Sequence, residues 1–237
     1  MSRAGWIGAV TVVGLQVGGM VLFARWHATN AIAAWAALST LIWAPGIVMA
    51  VGALTAAAVV RRRAPADLAT WREWALSWWQ EWQEYYRVFV WRQPFRWRAW
   101  ADPAEVTEGP TVVLVHGYLC NRGFWHPWMQ RLKTLGVPYV STNLEPVFGS
   151  IDEYVPLVDA AVARATALTG LAPTLICHSM GGLAARAWLA ATHGAASRVQ
   201  KIITIGTPHR GTWLARFSHL ANGRQMRHDC DWQQSLV

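Results

Sequence analysis

Residues 174–182 have the sequence TLICHSMGG, and this stretch decides the fold class of the 237-residue chain. A short apolar run leads directly to Ser179 and then to an alanine- and leucine-rich segment, 179–192. This order predicts a buried strand, a sharp turn and a helix. A serine in such a turn exposes its hydroxyl at the end of the strand, while Gly181 and Gly182 let strand and helix approach closely. The helix directs its amino-terminal N–H groups at negative charge developing beside Ser179.

Strands and helices alternate on both sides of this turn. Apolar patterning predicts strands at 111–116, 138–142 and 201–205, and helices at 124–135 and 151–169. This alternation predicts an α/β fold with a parallel sheet that helices cover on both faces. The alternating sequence Phe95–Trp100 predicts an edge strand that opens the domain.

Two further motifs follow predicted strands. His116-Gly117-Tyr118 ends the first strand, and GTPHRGT at 206–212 follows another. Reactive groups in parallel sheets lie at the carboxyl ends of the strands, so these motifs are expected beside Ser179. There the backbone N–H groups of Tyr118 and Met180 can form an oxyanion hole.

Together, the motifs HGY, HSMGG and GTPHRGT resemble those of the α/β-hydrolase superfamily, in particular bacterial lipases and esterases. The resemblance covers about residues 95–237. It implies hydrolysis of carboxylic esters through an acyl-enzyme, with Ser179 as nucleophile and the N–H groups of Tyr118 and Met180 stabilising the oxyanion. The residues expected to support the motifs are His116, Gly117, His178, Gly181 and Gly182.

The catalytic acid and base cannot be assigned in the same way. In this superfamily both follow the serine, on loops after later strands. Asp229 and Asp231 are candidate acids, but no histidine follows either of them. We therefore expect the acid and the base to lie beyond Val237, in a longer enzyme of which this chain is a truncated form with impaired activity. Cys177 stands where the family most often has glycine, and its small side chain is expected to be tolerated. The histidines are expected to be structural or solvated: His116, His178, His209, His219 and His228.

The amino-terminal part is predicted to form a transmembrane hairpin. The segments 5–24 and 31–60 contain no charged residue, and twenty helical residues cover the ~30 Å of a bilayer core. A signal peptide is the competing interpretation of the first segment, but a second apolar segment follows within a few residues. The second segment is longer than needed, so its helix is expected to be tilted, kinked at Pro45 or begun outside the bilayer.

Arginine placement predicts the orientation of this hairpin. Arg3 and Arg61–Arg63 flank its outer ends, whereas the short loop carries only Arg25. This bias places both termini, and the hydrolase domain, on the cytoplasmic side of a bacterial inner membrane.

An aromatic stripe follows the hairpin. Trp71, Trp74, Trp78 and Trp82 recur at helical spacing in 64–94, which predicts an amphipathic helix. This helix packs on the catalytic domain in one interpretation and lies in the lipid headgroup region in the other; its position after a spanning segment favours the second. The predicted division is therefore 1–63, 64–94 and 95–237.

Composition restricts the function classes. With 54% hydrophobic and 14% charged residues the chain is neither disordered nor a coiled coil. Its net charge of +8 comes mostly from arginines beside apolar segments, which favours a bilayer over nucleic acid as partner. Three cysteines without a CxxC pair, and no acidic cluster with calcium-loop spacing, predict no disulfide framework, metal or cofactor.

The leading hypothesis is a membrane-anchored serine hydrolase that cleaves hydrophobic esters. A non-catalytic membrane protein that keeps a hydrolase-like module for binding remains the alternative. A transporter subunit is a third hypothesis, weakened because neither apolar segment contains a charged residue.

Overall fold

The computed structural model describes residues 3–63, 69–104 and 108–236. It divides into two compact units, one of residues 8–91 and the other of residues 1–7 together with 92–237. The first contains most of the apolar amino-terminal sequence, and the second contains the sheet.

Two long helices form from the apolar segments: α1 (Arg3–Thr29) and α2 (Ala31–Arg63). Both are long and apolar enough to cross a membrane, by length and composition. Their apolar side chains are mostly exposed, as for Val48 at 70%, whereas a core helix of a soluble protein buries such residues. The helices fit membrane spans, and α1, near the amino terminus, also fits a signal sequence.

Helix α3 (Trp71–Tyr85) begins with a capping box. The Thr70 hydroxyl accepts from the Glu73 N–H, and the Glu73 carboxylate accepts from the Thr70 N–H at 2.7 Å. The Thr70 N–H and the Thr70 hydroxyl both donate to this carboxylate, and these two bonds lower the pKa of Glu73. The helix continues as a π-helix, Tyr86–Arg92, and ends in the short α4 (Gln93–Phe95).

The aromatic face of α3 packs on α2. Trp82 stacks on Trp43 with ring centroids 4.4 Å apart, and the Trp78 Nε1–H donates to the Gly46 carbonyl at 2.7 Å. A Cβ on Gly46 would lie 2.8 Å from the Trp82 ring, so glycine permits the contact. The stripe thus has a protein partner in α2, which neither sequence interpretation named.

The predicted edge strand at Phe95–Trp100 is wrong. The Arg96 N–H donates to the Arg92 carbonyl and the Ala99 N–H to the Arg96 carbonyl, at 3.0 and 2.8 Å. These local hydrogen bonds continue the preceding helix into a turn and occupy the groups that a strand would use in a ladder.

The sheet is parallel, as predicted, with order β2-β1-β3-β4. Its strands are β1 (Val112–Val115), β2 (Tyr139–Ser141), β3 (Thr174–His178) and β4 (Lys201–Ile205). In the register, Val113 is opposite Val140 and Leu175, and Cys177 is opposite Thr204. Strand β4 is an edge, and its Ile203 and Ile205 side chains are exposed.

The remaining helices all belong to the unit that contains the sheet. They are α5 (His126–Thr134), α6 (Val155–Thr169), α7 (Met180–Ala191), α8 (Ala221–Gln225) and α9 (Asp231–Gln234). Short 3-10 helices precede α5, at Arg122–Trp125, and α6, at Ile151–Tyr154.

Two hydrophobic clusters cover the two faces of the sheet. Val113 and Val115 belong to the cluster that contains residues of α6 and α7, whereas Leu114 packs with Met129 of α5. This alternation along β1 is what a strand buried on both faces requires. The helix that follows Ser179 is therefore fixed by the larger cluster.

We expect Leu183→Ala to lower the free energy of unfolding by about 2–5 kcal/mol, because Leu183 is fully buried in α7 and its loss leaves a cavity. Urea unfolding of the full chain in detergent micelles measures the change. Leu171→Ala, at a half-exposed position, is the matched control and should change stability by at most about 0.5 kcal/mol. Equal effects of the two substitutions would contradict this packing.

Candidate active site

Ser179 lies in the turn between β3 and α7 with φ 53° and ψ −125°. A serine rarely adopts a positive φ, and such strained conformations persist only where their surroundings hold them. Here the Ser179 N–H donates to the Ile205 carbonyl at 2.8 Å, and the Ser179 carbonyl accepts from the Thr207 hydroxyl at 2.9 Å. The end of β4 therefore holds the turn in place.

Close backbone packing surrounds this turn. A Cβ on Gly117 would lie 2.9 Å from the Cβ of Ser179, and a Cβ on Gly181 would lie 2.6 Å from the His116 carbonyl oxygen. Only glycine fits at these two positions. The loop after β1 and the start of α7 are thereby brought together beside Ser179, as the motif spacing predicts.

Tyr118 and Met180 flank the serine. Tyr118 is in the loop after β1, and Met180 is the first residue of α7, where N–H groups have no partner within the helix. Among the described residues neither backbone N–H donates to an acceptor. Both groups are therefore available to an oxyanion.

A cavity of about 510 Å³ opens beside Ser179. Its walls are mainly apolar or small residues: Tyr118, Ser179, Gly206, Pro208, Thr212, Leu214, Ala215, Ser218, Gly223 and Met226. The volume lies in the range of small-molecule sites.

His116 is structural. Its ring is fully buried, its Nε2 accepts from the Leu144 N–H at 3.0 Å, and its Nδ1 lies 2.9 Å from the Gly117 carbonyl. Since a backbone N–H can only donate, Nε2 carries no proton and Nδ1–H is the donor. Burial lowers the pKa of His116 to about 4.

His178 stacks on Phe124, with ring centroids 4.5 Å apart. Its Nδ1 is buried and has no hydrogen-bond partner within the described ranges. Burial lowers the pKa of His178, which favours the neutral form of its ring.

The structure brings no histidine into hydrogen-bond contact with the Ser179 hydroxyl among the described residues. None of the residues that line the cavity there is a histidine. His209 contacts the Thr204 hydroxyl at 3.2 Å, and His228 pairs with Asp229 at 2.6 Å on an exposed surface. Asp231 begins α9. No group of three metal-ligating side chains occurs among the described residues.

Sequence reasoning missed the role of Thr207 and most of the cavity wall. Thr207 belongs to the GTPHRGT motif, whose position after β4 was the available signal. Leu214, Ala215 and Met226 come from a tail with no strand and no clear periodicity, so their place in the wall depends on tertiary contacts.

Comparisons with known proteins bear on this fold. The family model of the PGAP1-like alpha/beta domain matches residues 171–226, which contain Ser179 and the GTPHRGT motif. A comparison with curated protein sequences gives no match.

Among solved structures, Aspergillus fumigatus lipase B aligns with a TM-score of 0.50 and 19% identity, over 59% of this chain and 37% of its own. The mature form of Bacillus licheniformis lipase BlEst2 aligns with a TM-score of 0.48 and 19% identity, over 57% of this chain and 60% of its own. This chain thus spans less than two thirds of the length of either. The fold is α/β-hydrolase-like. The four parallel strands, the flanking helices and the family match confirm the predicted resemblance.

The buried neutral His116 predicts a pH dependence. The unfolded chain protonates this imidazole below pH ~6.5, but the folded chain does so only below about pH 4. Its contribution to stability is present above pH 6.5 and is lost as the pH falls toward 4, by at most about 1.4 kcal/mol per pH unit. Between pH 7 and 4, the free energy of unfolding should change less with pH in His116→Gln than in the native chain. His193→Gln, at an exposed histidine, should keep the native dependence on pH.

Thr207→Val tests the support of the turn. Valine keeps the shape but removes the hydroxyl that binds the Ser179 carbonyl, so we expect a loss of about 0.5–1.5 kcal/mol in unfolding free energy. Thr192→Val is the control, because the Thr192 hydroxyl makes no hydrogen bond among the described residues. If both variants unfold at the same urea concentration, the Thr207 hydrogen bond contributes nothing to the free energy of unfolding.

Proposed function

We propose that this chain is a membrane-anchored serine hydrolase of the carboxylesterase or lipase type that acts through an acyl-enzyme on Ser179. The observation that carries the proposal is the positive φ of Ser179, at a strand-to-helix turn beside an apolar cavity. Strained backbone of this kind is concentrated at functional sites. The lipase and esterase likeness of the fold agrees with this chemistry.

In the proposed reaction the Ser179 oxygen attacks the ester carbonyl carbon and loses its proton to a base. Negative charge then develops on the carbonyl oxygen, where the N–H groups of Tyr118 and Met180 and the amino terminus of α7 stabilise it. Collapse of the tetrahedral intermediate expels the alcohol, which takes up a proton, and leaves the acyl group on Ser179. Water releases the acid in a second step.

The rate of this reaction depends on whether a base and an acid assist Ser179. Because no described histidine makes a hydrogen bond to the Ser179 hydroxyl, we expect these residues alone to support slow turnover. Loss of a triad member typically removes about four to six orders of magnitude in rate and leaves the contribution of the oxyanion hole and of binding.

Hydrophobic esters are the proposed substrates. The cavity wall includes Leu214, Ala215 and Met226, which favour an apolar acyl or alkyl group over a charged one. We propose that α1 and α2 anchor the enzyme in a bacterial inner membrane with the hydrolase domain on the cytoplasmic side, following the arginine bias.

A non-catalytic binding module is the second candidate. The Ser179 hydroxyl has no hydrogen-bond partner among the described residues, and an unactivated serine is an ordinary alcohol. The same cavity would then bind an apolar ligand without cleaving it.

A fluorophosphonate probe separates the two candidates. We expect slow but selective phosphonylation of Ser179, because the two N–H groups stabilise charge on the phosphonyl oxygen. Peptide mapping after labelling identifies the modified serine, and Ser179→Ala should lose the label while p-nitrophenyl ester turnover falls to background.

Ser197→Ala, at an exposed serine, is the matched control and should label like the native chain. Labelling of Ser179 no faster than of Ser197 would favour the binding module. Labelling as fast as in a complete serine hydrolase would reveal a base that the described residues do not show.

A further inference from the structure

Large apolar side chains face solvent at the rim of the Ser179 cavity. They belong to a 3-10 helix, Trp213–Phe217, in which Trp213 is 65%, Leu214 80% and Phe217 69% exposed. Ala215 points inward and is buried, so the helix presents its larger side chains outward. Leu214 also lines the cavity. Exposed apolar residues concentrated in one place mark an interaction surface.

The segment that forms this rim carries positive charge. No acidic residue occurs in the sequence between Asp159 and Asp229, and Arg216 and Arg224 are exposed, whereas Arg210 pairs with Asp229. The Arg216 guanidinium lies over the Phe217 ring at 5.6 Å, so charge and apolar surface are adjacent. The negative surface potential of an anionic bilayer attracts arginines that lie close to it. The charge of the rim therefore complements a negatively charged surface.

The first residues of α1 are attached to the loop that borders the cavity. The Arg3 N–H donates to the Glu145 carboxylate at 2.7 Å. Phe148 follows in the same loop, and its ring centroid lies 6.5 Å from that of Tyr118, a residue that lines the cavity. The amino-terminal end of α1 is thus bonded to a loop whose Phe148 packs on a residue of the cavity wall.

We propose that Trp213, Leu214 and Phe217 dock the cavity mouth on an anionic lipid bilayer, where Arg216 and Arg224 bind lipid phosphate groups. Aromatic and leucine side chains with flanking arginines suit the headgroup region. The inference rests on the proposed function, since it names the substrate class: esters of lipids dissolved in the bilayer, which reach Ser179 without crossing water.

A fluorescent probe at the rim tests this docking. The full chain carrying Leu214→Cys and Cys230→Ser is labelled with an NBD dye, since the other two cysteines are buried. The protein is then reconstituted into vesicles of phosphatidylcholine with 0 or 30% phosphatidylglycerol, with or without spin-labelled lipids that quench shallow fluorophores. We expect blue-shifted emission that spin-labelled lipid quenches, both effects growing with the anionic fraction.

Leu171→Cys, at a half-exposed leucine of the same unit, is the matched control and should keep water-like emission. Arg216→Glu should reduce quenching at position 214 severalfold, whereas Arg131→Glu, also at an exposed arginine, should not. Equal quenching at 214 and 171 would overturn the proposal. So would a blue shift without lipid quenching, which indicates a protein partner or a second copy at the rim.

This readout needs no catalysis. Ser179→Ala should dock like the native chain, so docking without fluorophosphonate labelling would contradict the hydrolase and leave the surface intact. Labelling without docking would contradict the surface and leave the hydrolase intact.

Discussion

The candidate site depends on holding one backbone conformation, the left-handed turn at Ser179. Such a conformation costs about 1–3 kcal/mol, which neighbouring structure must offset. The Ile205 carbonyl binds the Ser179 N–H and the Thr207 hydroxyl binds the Ser179 carbonyl. Ile205 ends β4, and Thr207 lies in the loop directly after it. The parallel pairing of β3 with β4 is therefore a requirement of the site as well as of the fold, because a shift in register would remove both partners.

The strands and the turn could be predicted because local sequence determines them. Short apolar runs of strand length precede each motif, and buried strands in a parallel sheet need such runs on both faces. The strand predicted at Phe95–Trp100 is wrong because an alternating sequence is compatible with a strand, but local hydrogen bonds determine this segment. These bonds continue those of the preceding helix. The cavity wall could not be predicted, since Leu214 and Met226 reach Ser179 only through the folding of an irregular tail.

The aromatic stripe illustrates the same limit. Helical spacing identifies α3 and its aromatic face, but spacing says nothing about what that face contacts. Its partner is set by Gly46, whose missing side chain leaves room for Trp78 and Trp82. Trp78 and Tyr86 donate to the carbonyls of Gly46 and Ile42, on either side of Pro45. Such side-chain donors satisfy backbone groups near a proline, which matters most where water is excluded.

The open side of β4 has a consequence for the serine. Within the described residues this strand pairs only with β3, and its outer carbonyl and N–H groups are free to receive another strand. Ile205 ends that strand and also accepts the hydrogen bond from the Ser179 N–H. A polypeptide that paired with this border would therefore contact the strand whose last residue holds the Ser179 turn.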